Sequence, residues 1–514
     1  MAALRTPSPR RPVGRSLSDF EPLSEAEKKL AEATRTGEGC ILGRHLPDNG
    51  STRITIRAGV LRFLALGGDD ITPVHETGVR LRGAFIEGEL DLSNAALPFD
   101  LTLECCRFDS SVSMYGARGQ TINLNECYLN GFTADRLLLD GGLFLKEVHA
   151  ERTTRLGGAH IKGDFTCSGA LFNGAGGRAL HFDGAAIDGA VFLNCGFEAK
   201  GTVRLAGAQI GGDFVCDQGH FEKFGDNDYA LACDGARIGG SLSFFDGIIV
   251  NGIISLAHAE VSTLRDNPTL WPMNSLNLDG FRYQRISSTS SLDAATRVGW
   301  LDKQQQRYLK GDNFSLQPWM QLAKVLREQG HFRDAAEVDI AREDRLRAGG
   351  RVGYPWIHWS NGKFAGYGHR PDRVLIIAFI VWTVSMGLYA LAAENGGFAP
   401  TSPAIYLKDE FEHCRPDAQE MPKNGKPKIG NWTHCPDLPS EYPAFSPFAF
   451  STDLILPVMH LGQSNYWGPT TIARKFFSVG NSVQCWMWLE EAFGWVAALT
   501  LGAIAAGLVK RRDG

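Results

Sequence analysis

A twelve-residue pattern that recurs in the first half of this chain limits the folds open to it. Five copies follow Φ-x-G-A-x-I-x-G-x-Φ-x-Φ, where Φ is apolar, and they begin at Leu81, Leu156, Phe182, Leu205 and Cys233. The last four begin 26, 23 and 28 residues apart, a period typical of solenoid coils. Alternating apolar positions suit short strands with one buried face, and the Gly and Ala positions let neighbouring coils stack closely. The pattern therefore predicts a right-handed parallel β-helix over residues 78–262.

Weaker strand patterns fill the gaps between these copies. We predict strands at 101–103, 122–124, 143–145 and 254–256, so that the solenoid contains roughly eight coils. The chain has 59 glycines in 514 residues, above the usual share of about 7%, which is consistent with a turn-dense repeat.

Seven cysteines lie within the repeat region. No C-x-x-C pair occurs there, so we predict small buried side chains inside the coils rather than metal or redox sites. These cysteines are Cys105, Cys106, Cys127, Cys167, Cys195, Cys216 and Cys233.

The repeat region resembles the pentapeptide-repeat family and its looser relatives, although the strict five-residue A-(D/N)-L-x-x pattern is absent. Its exposed positions carry no repeated carboxylate or histidine constellation that would predict an active site. We therefore interpret the outer faces of the solenoid as a binding surface or a spacer.

The segments that flank the repeat have different compositions. Residues 1–20 carry several arginines without the apolar stretch of a secretory signal, which predicts a disordered basic tail. Residues 21–77 are expected to cap the solenoid. Residues 263–350 form a helical connector, within which helical periodicity from Gln317 and again from Phe332 predicts a two-helix hairpin of tetratricopeptide type.

Two apolar segments follow and predict a multi-pass membrane protein. Residues 374–393 are uncharged and long enough to cross about 30 Å of hydrocarbon, and the aromatic and basic segment 351–373 before them suits the headgroup layer. The second predicted span is 492–509, with Cys485 as its earliest possible start. Basic residues border the first span at its N-terminal end and the second at its C-terminal end, so both termini are expected in the cytoplasm.

The loop 394–491 is then expected outside the cytoplasm, in an oxidising environment. Cys414 and Cys435 are each preceded by a histidine, His413 and His434. A disulfide between them would stabilise by roughly 3 kcal/mol in the loop-entropy model. The alternative is a Cys2His2 zinc site, which needs both thiolates reduced. The prediction is the disulfide, with no metal.

An apolar segment broken by Pro and Gly, residues 445–469, lies between the two spans. It is too short to cross a bilayer. We interpret it as an amphipathic helix lying on the outer leaflet, with a re-entrant loop as the alternative. In the re-entrant case Asp453, His460 and Gln463 would lie near the conduit of a channel.

A second resemblance covers about residues 80–510. The segments Gln317–His331, Tyr367–Pro371 and Ser451–Pro457, with a Trp-rich final span, are similar to a poorly characterised group of bacterial membrane proteins often labelled membrane-associated oxidoreductases. That label implies an activity, but the glycines fall inside the repeat columns and no βαβ unit carries a dinucleotide loop. We expect neither a cofactor nor catalysis.

The leading hypothesis is a scaffold or sensor anchored in the bacterial inner membrane. Its partners would be the lipid bilayer and a cytoplasmic protein bound on the β-helix, with homo-oligomerisation as an option. An oligomeric pore-loop-like channel is the first alternative, and a membrane-associated oxidoreductase, by label only, is the second. The net charge of -5 and the lack of a long basic run argue against nucleic acid.

Overall fold

The computed structural model divides the chain into two units, Met1–Arg351 and Val352–Gly514. It describes residues 16–225, 229–309, 314–420, 424–471 and 479–506. Most of the predicted basic tail, up to Arg15, lies outside the described residues. Leu17–Phe20 forms a short 3-10 helix.

The first unit begins with a cap of two helices, α1 (Glu25–Thr36) and α2 (Ala58–Ala65). Ser24 and Glu27 form a capping box at the start of α1, which satisfies backbone N–H groups that the helix leaves free. Two short strands of the cap pair with the solenoid. β1 (Cys40–Ile41) pairs with β3 (Val79–Arg82), and β2 (Thr55–Arg57) pairs with β4 (Phe85–Glu87). The cap therefore covers the first edge of the sheets, where an open ladder would invite aggregation.

Behind the cap, a parallel β-solenoid of about nine turns runs to Ile286. Each coil contributes short strands to four parallel ladders, as the coil starting at Ile122 illustrates. Ile122 pairs with Leu143, Tyr128 with His149, Phe132 with Thr154 and Leu138 with His160. The ladders extend on both sides of the range 78–262, from Cys40 to Ile286.

The solenoid strands are short in most coils. Those of its first half are β3 (Val79–Arg82), β4 (Phe85–Glu87), β5 (Leu90–Asp91), β6 (Leu101–Glu104), β7 (Arg107–Phe108), β8 (Val112–Ser113), β9 (Arg118–Gly119), β10 (Ile122–Asn123), β11 (Tyr128–Leu129), β12 (Phe132–Thr133), β13 (Leu138–Leu139), β14 (Leu143–Phe144), β15 (His149–Ala150), β16 (Thr154–Arg155), β17 (His160–Ile161) and β18 (Phe165–Thr166). Those of its second half are β19 (Leu171–His181), β20 (Ala186–Ile187), β21 (Val191–Phe192), β22 (Glu198–Arg204), β23 (Gln209–Ile210), β24 (Phe214–Val215), β25 (His220–Glu222), β26 (Tyr229–Ala232), β27 (Arg237–Phe244), β28 (Ile249–Asn251), β29 (Ile253–Ser255), β30 (Glu260–Asp266), β31 (Leu276–Asn277) and β32 (Arg282–Ile286).

The columns of the repeat explain why the coils stack. The Ala and Ile columns point inward and are almost fully buried in every copy, as at Ala185 and Ile187. The first Gly of the motif takes a left-handed backbone at each corner, for example Gly184 at φ 64, a conformation that glycine adopts without steric cost. The second Gly has a different function: a Cβ on Gly212 would lie 2.9 Å from the backbone of Gly189 in the preceding coil. Side chains are excluded there because the coils approach so closely.

The far end of the solenoid is closed by helices of the connector. The last edge strand, β32, is covered by α5 (Gln317–Glu328), and glutamine side chains satisfy its free backbone groups. Gln321 donates to the carbonyl of Tyr283, and Gln329 both donates to and accepts from the backbone of Ile286. The predicted hairpin is present as α5 and α6 (Phe332–Ala348), preceded by α3 (Ala294–Leu301) and α4 (Gln306–Leu309).

The second unit contains two long apolar helices, α8 (Pro371–Glu394) and α12 (Val479–Ala505). Their most apolar windows have mean hydropathies of 2.3 and 1.2, and both helices are long and apolar enough to cross a membrane. The predicted span 374–393 falls within α8. The span 492–509 overlaps α12, which begins earlier, at Val479, and residues 507–509 lie outside the described residues.

Shorter elements complete the second unit. The helices are α7 (Pro355–Ala365), α9 (Pro403–Tyr406), α10 (Pro447–Ile455) and α11 (Gln463–Tyr466), with 3-10 helices at Gly366–Gly368, Asp409–Cys414 and Trp432–His434. The strands β33 (Phe398–Pro400) and β34 (Trp467–Pro469) form an antiparallel pair.

Candidate functional site

Six of the seven solenoid cysteines are buried, as predicted, but Cys195 is exposed. Cys195 has a left-handed backbone, φ 52. Burial is the main cause that raises the pKa of the Cys127, Cys167, Cys216 and Cys233 thiols, and together with the Glu126 carboxylate it brings that of Cys105 to about 12. Thiols held protonated in this way are poor nucleophiles and poor metal ligands.

The solenoid offers a polar groove near its last coils, beside α5. It has a volume of about 590 Å³ and is lined by charged side chains of both signs, including Arg237, Glu260, Arg282 and Lys324. Glu260 lies between two of these, 3.8 Å from Arg237 and 3.7 Å from Arg282. Charges that are exposed and only loosely paired remain available to a partner.

In the second unit, Cys414 and Cys435 form the predicted disulfide, with Cα atoms 5.6 Å apart. His413 lies against the bridge, and its ligand atom and the two sulfurs fall within 4.8 Å of one another. The disulfide withdraws the thiolates that zinc would need. His434 would be the fourth ligand of the alternative zinc site. Its Nδ1 instead lies 2.9 Å from the side-chain amide nitrogen of Asn431.

The buried His413 has polar partners on both ring nitrogens. Its Nε2 lies 3.0 Å from Asp437 and its Nδ1 2.9 Å from Asn424. The Lys426 ammonium lowers the pKa of the Asp437 carboxyl, and His413 lowers it to a smaller extent. The histidine therefore stabilises the loop around the disulfide.

The segment 445–469 forms α10, α11 and β34. In contrast to the predicted surface-lying helix, α10 enters between α8 and α12. α10 begins with Ser446 as N-cap and Pro447 in its first turn, and it ends before Pro457. Its residues Phe450–Ile455 are all buried. The indole of Trp382, midway along α8, donates to Thr452 on α10 over 3.1 Å.

A glycine of α12 allows this close packing. A Cβ on Gly494 would lie 2.4 Å from the carbonyl oxygen of Ile455, the last residue of α10. We call α8, α10 and α12 together the helical lobe. Small residues at helix contacts let backbones approach in this way.

The centre of the helical lobe contains a buried carboxylate, Glu490 on α12. Tyr389 of α8 donates to one carboxyl oxygen over 2.5 Å, and the Ser451 hydroxyl of α10 lies 2.6 Å from the other. Ser385 of α8 also contacts this carboxyl and accepts a hydrogen bond of 2.9 Å from the Trp486 indole. One carboxyl group thus joins all three helices.

The three residues proposed for a conduit have different environments. Asp453 is buried and accepts from the backbone N–H groups of Leu461 and Ser464, which ties the chain that leaves α10 back to the helix. Gln463 is buried and bonds to Ala444 and Ser446. His460 is exposed at the loop tip. Two of the three stabilise the loop, and one is accessible.

Sequence reasoning missed Glu490. It placed the second span at 492–509, after Glu490 and Glu491, and it assigned no role to either carboxylate even with Cys485 as the earliest start. The sequence feature that could have pointed to Glu490 is this pair of carboxylates within a Trp-rich apolar stretch. Ionisable residues inside membrane-spanning helices often mark functional positions.

Comparison with protein-family models, with curated proteins and with solved structures returns no match to this chain. The resemblances named above therefore remain predictions, and the function must be argued from the residues.

Proposed function

We propose that this protein is a scaffold or sensor anchored in the bacterial inner membrane, with a right-handed β-solenoid on the cytoplasmic side. The observation that carries the proposal is the outer surface of α8 and α12. Large apolar side chains such as Phe379, Leu391, Trp488 and Leu499 are each at least 60% exposed. Large apolar side chains exposed along two long helices are unfavourable in water, and a bilayer would cover them.

Charge and redox chemistry support the orientation. Arg370 and Arg373 precede the apolar part of α8, which favours a cytoplasmic position for that end. The basic run after α12, Lys510–Arg512, lies outside the described residues. The disulfide Cys414–Cys435 suits the oxidising side of the membrane. Both termini would then be cytoplasmic.

Reporter fusions test the topology. Fusions after Gly350 and after Gly514 should report cytoplasm, and one within residues 425–432 should report the outside. A cytoplasmic result for the middle fusion would overturn the two-span arrangement.

The solenoid supplies the surface for a cytoplasmic protein partner. The mixed charges of the groove beside α5 would recognise a polar segment of such a partner, and the binding should weaken with salt. A charge reversal at Arg282, which is 69% exposed on its side chain, should weaken binding without unfolding the solenoid. Affinity capture with wild-type and Arg282→Glu protein at two salt concentrations measures this.

The entry of α10 between α8 and α12 favours a second candidate, an oligomeric pore-loop-like channel. A helix that enters beside the middle of a spanning helix and returns as a loop has re-entrant geometry, which is tolerated in a bilayer where protein covers it. His460 at the exposed tip would face neighbouring subunits or the conduit. Ion conductance in liposomes that contain the purified protein, compared with empty liposomes, tests the candidate.

A further inference from the structure

Glu490 lies where an ionised carboxylate is costly. The residue is 1% exposed, and in the part of the chain that the structure describes it forms no ion pair. An unpaired buried charge is strongly unfavourable even in a soluble protein, and more so in a bilayer. A proton on the carboxyl removes this cost without moving any helix.

The hydrogen bonds around Glu490 accommodate both protonation states. When the carboxylate is ionised, the hydroxyls of Tyr389 and Ser451 both donate to it. When it is protonated, its own O–H donates to Ser451 Oγ. The Ser451 hydroxyl then turns to the carbonyl oxygen of Trp382, 3.4 Å away. No buried donor or acceptor of this set is left without a partner in either state.

We propose that Glu490 is a proton-binding site inside the helical lobe, and that losing the proton loosens α10 from α8. The proposal rests on the membrane insertion proposed above. Deprotonation leaves a charge between three helices, and Ser451 must then give up the carbonyl of Trp382, which is a link between α10 and α8.

The other titratable groups on the elements packed around Glu490 either bond to it, bond to other residues or are exposed. On α8 the nearest is Tyr389, itself a donor to Glu490. On α10 it is Asp453, which binds the backbone of the following loop. On α7, which reaches α12 through Phe364 and Phe493, His358 stacks on Tyr367 with ring centroids 4.4 Å apart. On α12 itself Glu491 is exposed and serves as a matched control.

The test uses dicyclohexylcarbodiimide on the full chain in its native membranes. This apolar reagent adds to a protonated carboxylic acid, and the adduct rearranges to a stable N-acylurea with no leaving group. We expect modification at Glu490 and not at Glu491, mapped by peptide mass, and a loss of this modification as the pH is raised. Glu490→Gln should abolish the adduct, and Glu491→Gln should leave it unchanged.

Hydrogen exchange reports the second part of the proposal. Amides of α10 should exchange faster at higher pH in the wild type. This increase should exceed the intrinsic effect of pH on exchange, which is measured in the Glu490→Gln variant. Equal labelling of both glutamates, labelling independent of pH, or suppression by sodium ions at constant pH would overturn the proton site. A chain recovered in the soluble fraction would instead overturn the membrane anchoring.

Discussion

At the scale of single residues, the inward isoleucines define the solenoid interior. Ile187 is 1% exposed and lies in register with Ile161 in the preceding coil and Ile210 in the next. Its neighbour Asp188 points outward, with a side chain 57% exposed. Adjacent positions thus have opposite environments, as expected for strands with alternating side chains.

The contrast predicts opposite effects for two adjacent substitutions. Ile187→Asp places an unpaired carboxylate in the coil interior, so we expect a loss of several kcal/mol in unfolding free energy. Asp188→Lys loses an exposed contact with His160 and a weak attraction to the exposed Lys162, and it should change stability by less than about 0.5 kcal/mol. Thermal unfolding of both variants measures the difference, and equal midpoints would contradict the inward column.

At the scale of elements, the packing of α10 against α12 depends on a small residue of α12. A Cβ on Gly494 would meet the end of α10, whereas a Cβ on Gly502, about two turns further along α12, would have no atom within 4 Å. The same helix therefore offers a contact glycine and a free glycine for comparison.

Gly494→Leu should displace α10, because the added side chain meets the backbone of Ile455. Overpacking of this kind costs about 1–3 kcal/mol or more. Gly502→Leu should have little effect. Thermal unfolding in detergent, followed by tryptophan fluorescence, compares the two, and an equal loss of stability would mean that α10 does not pack at Gly494.

Contacts between elements also separate the features that could be predicted from the sequence from those that could not. The repeat columns, the hairpin and the apolar helices follow from local periodicity, so they were predictable. The glutamines of α5 that satisfy the edge of β32, and the entry of α10 between α8 and α12, depend on contacts between distant segments. Gln321 and Tyr283 are far apart in sequence, and no local pattern joins them.

At the scale of the whole molecule, the disulfide tests the proposal that its loop lies on the oxidising side of the membrane. Cys414 and Cys435 should resist alkylation until a reductant is added, whereas the free thiol Cys485 should not form a cross-link. Peptide mapping without reduction should recover a Cys414–Cys435 cross-link. Two free thiols with one zinc ion per chain would support the metal site instead.

The stacked coils also make the solenoid modular. Each coil pairs mainly with the coil before and after it, and the cap and α5 cover only the two ends. With coils about 4.8 Å apart, the gain or loss of one coil changes the distance between the ends by that step and leaves both end caps intact. A variant with one whole coil added or removed would therefore change the distance between the two ends of the solenoid by a fixed step.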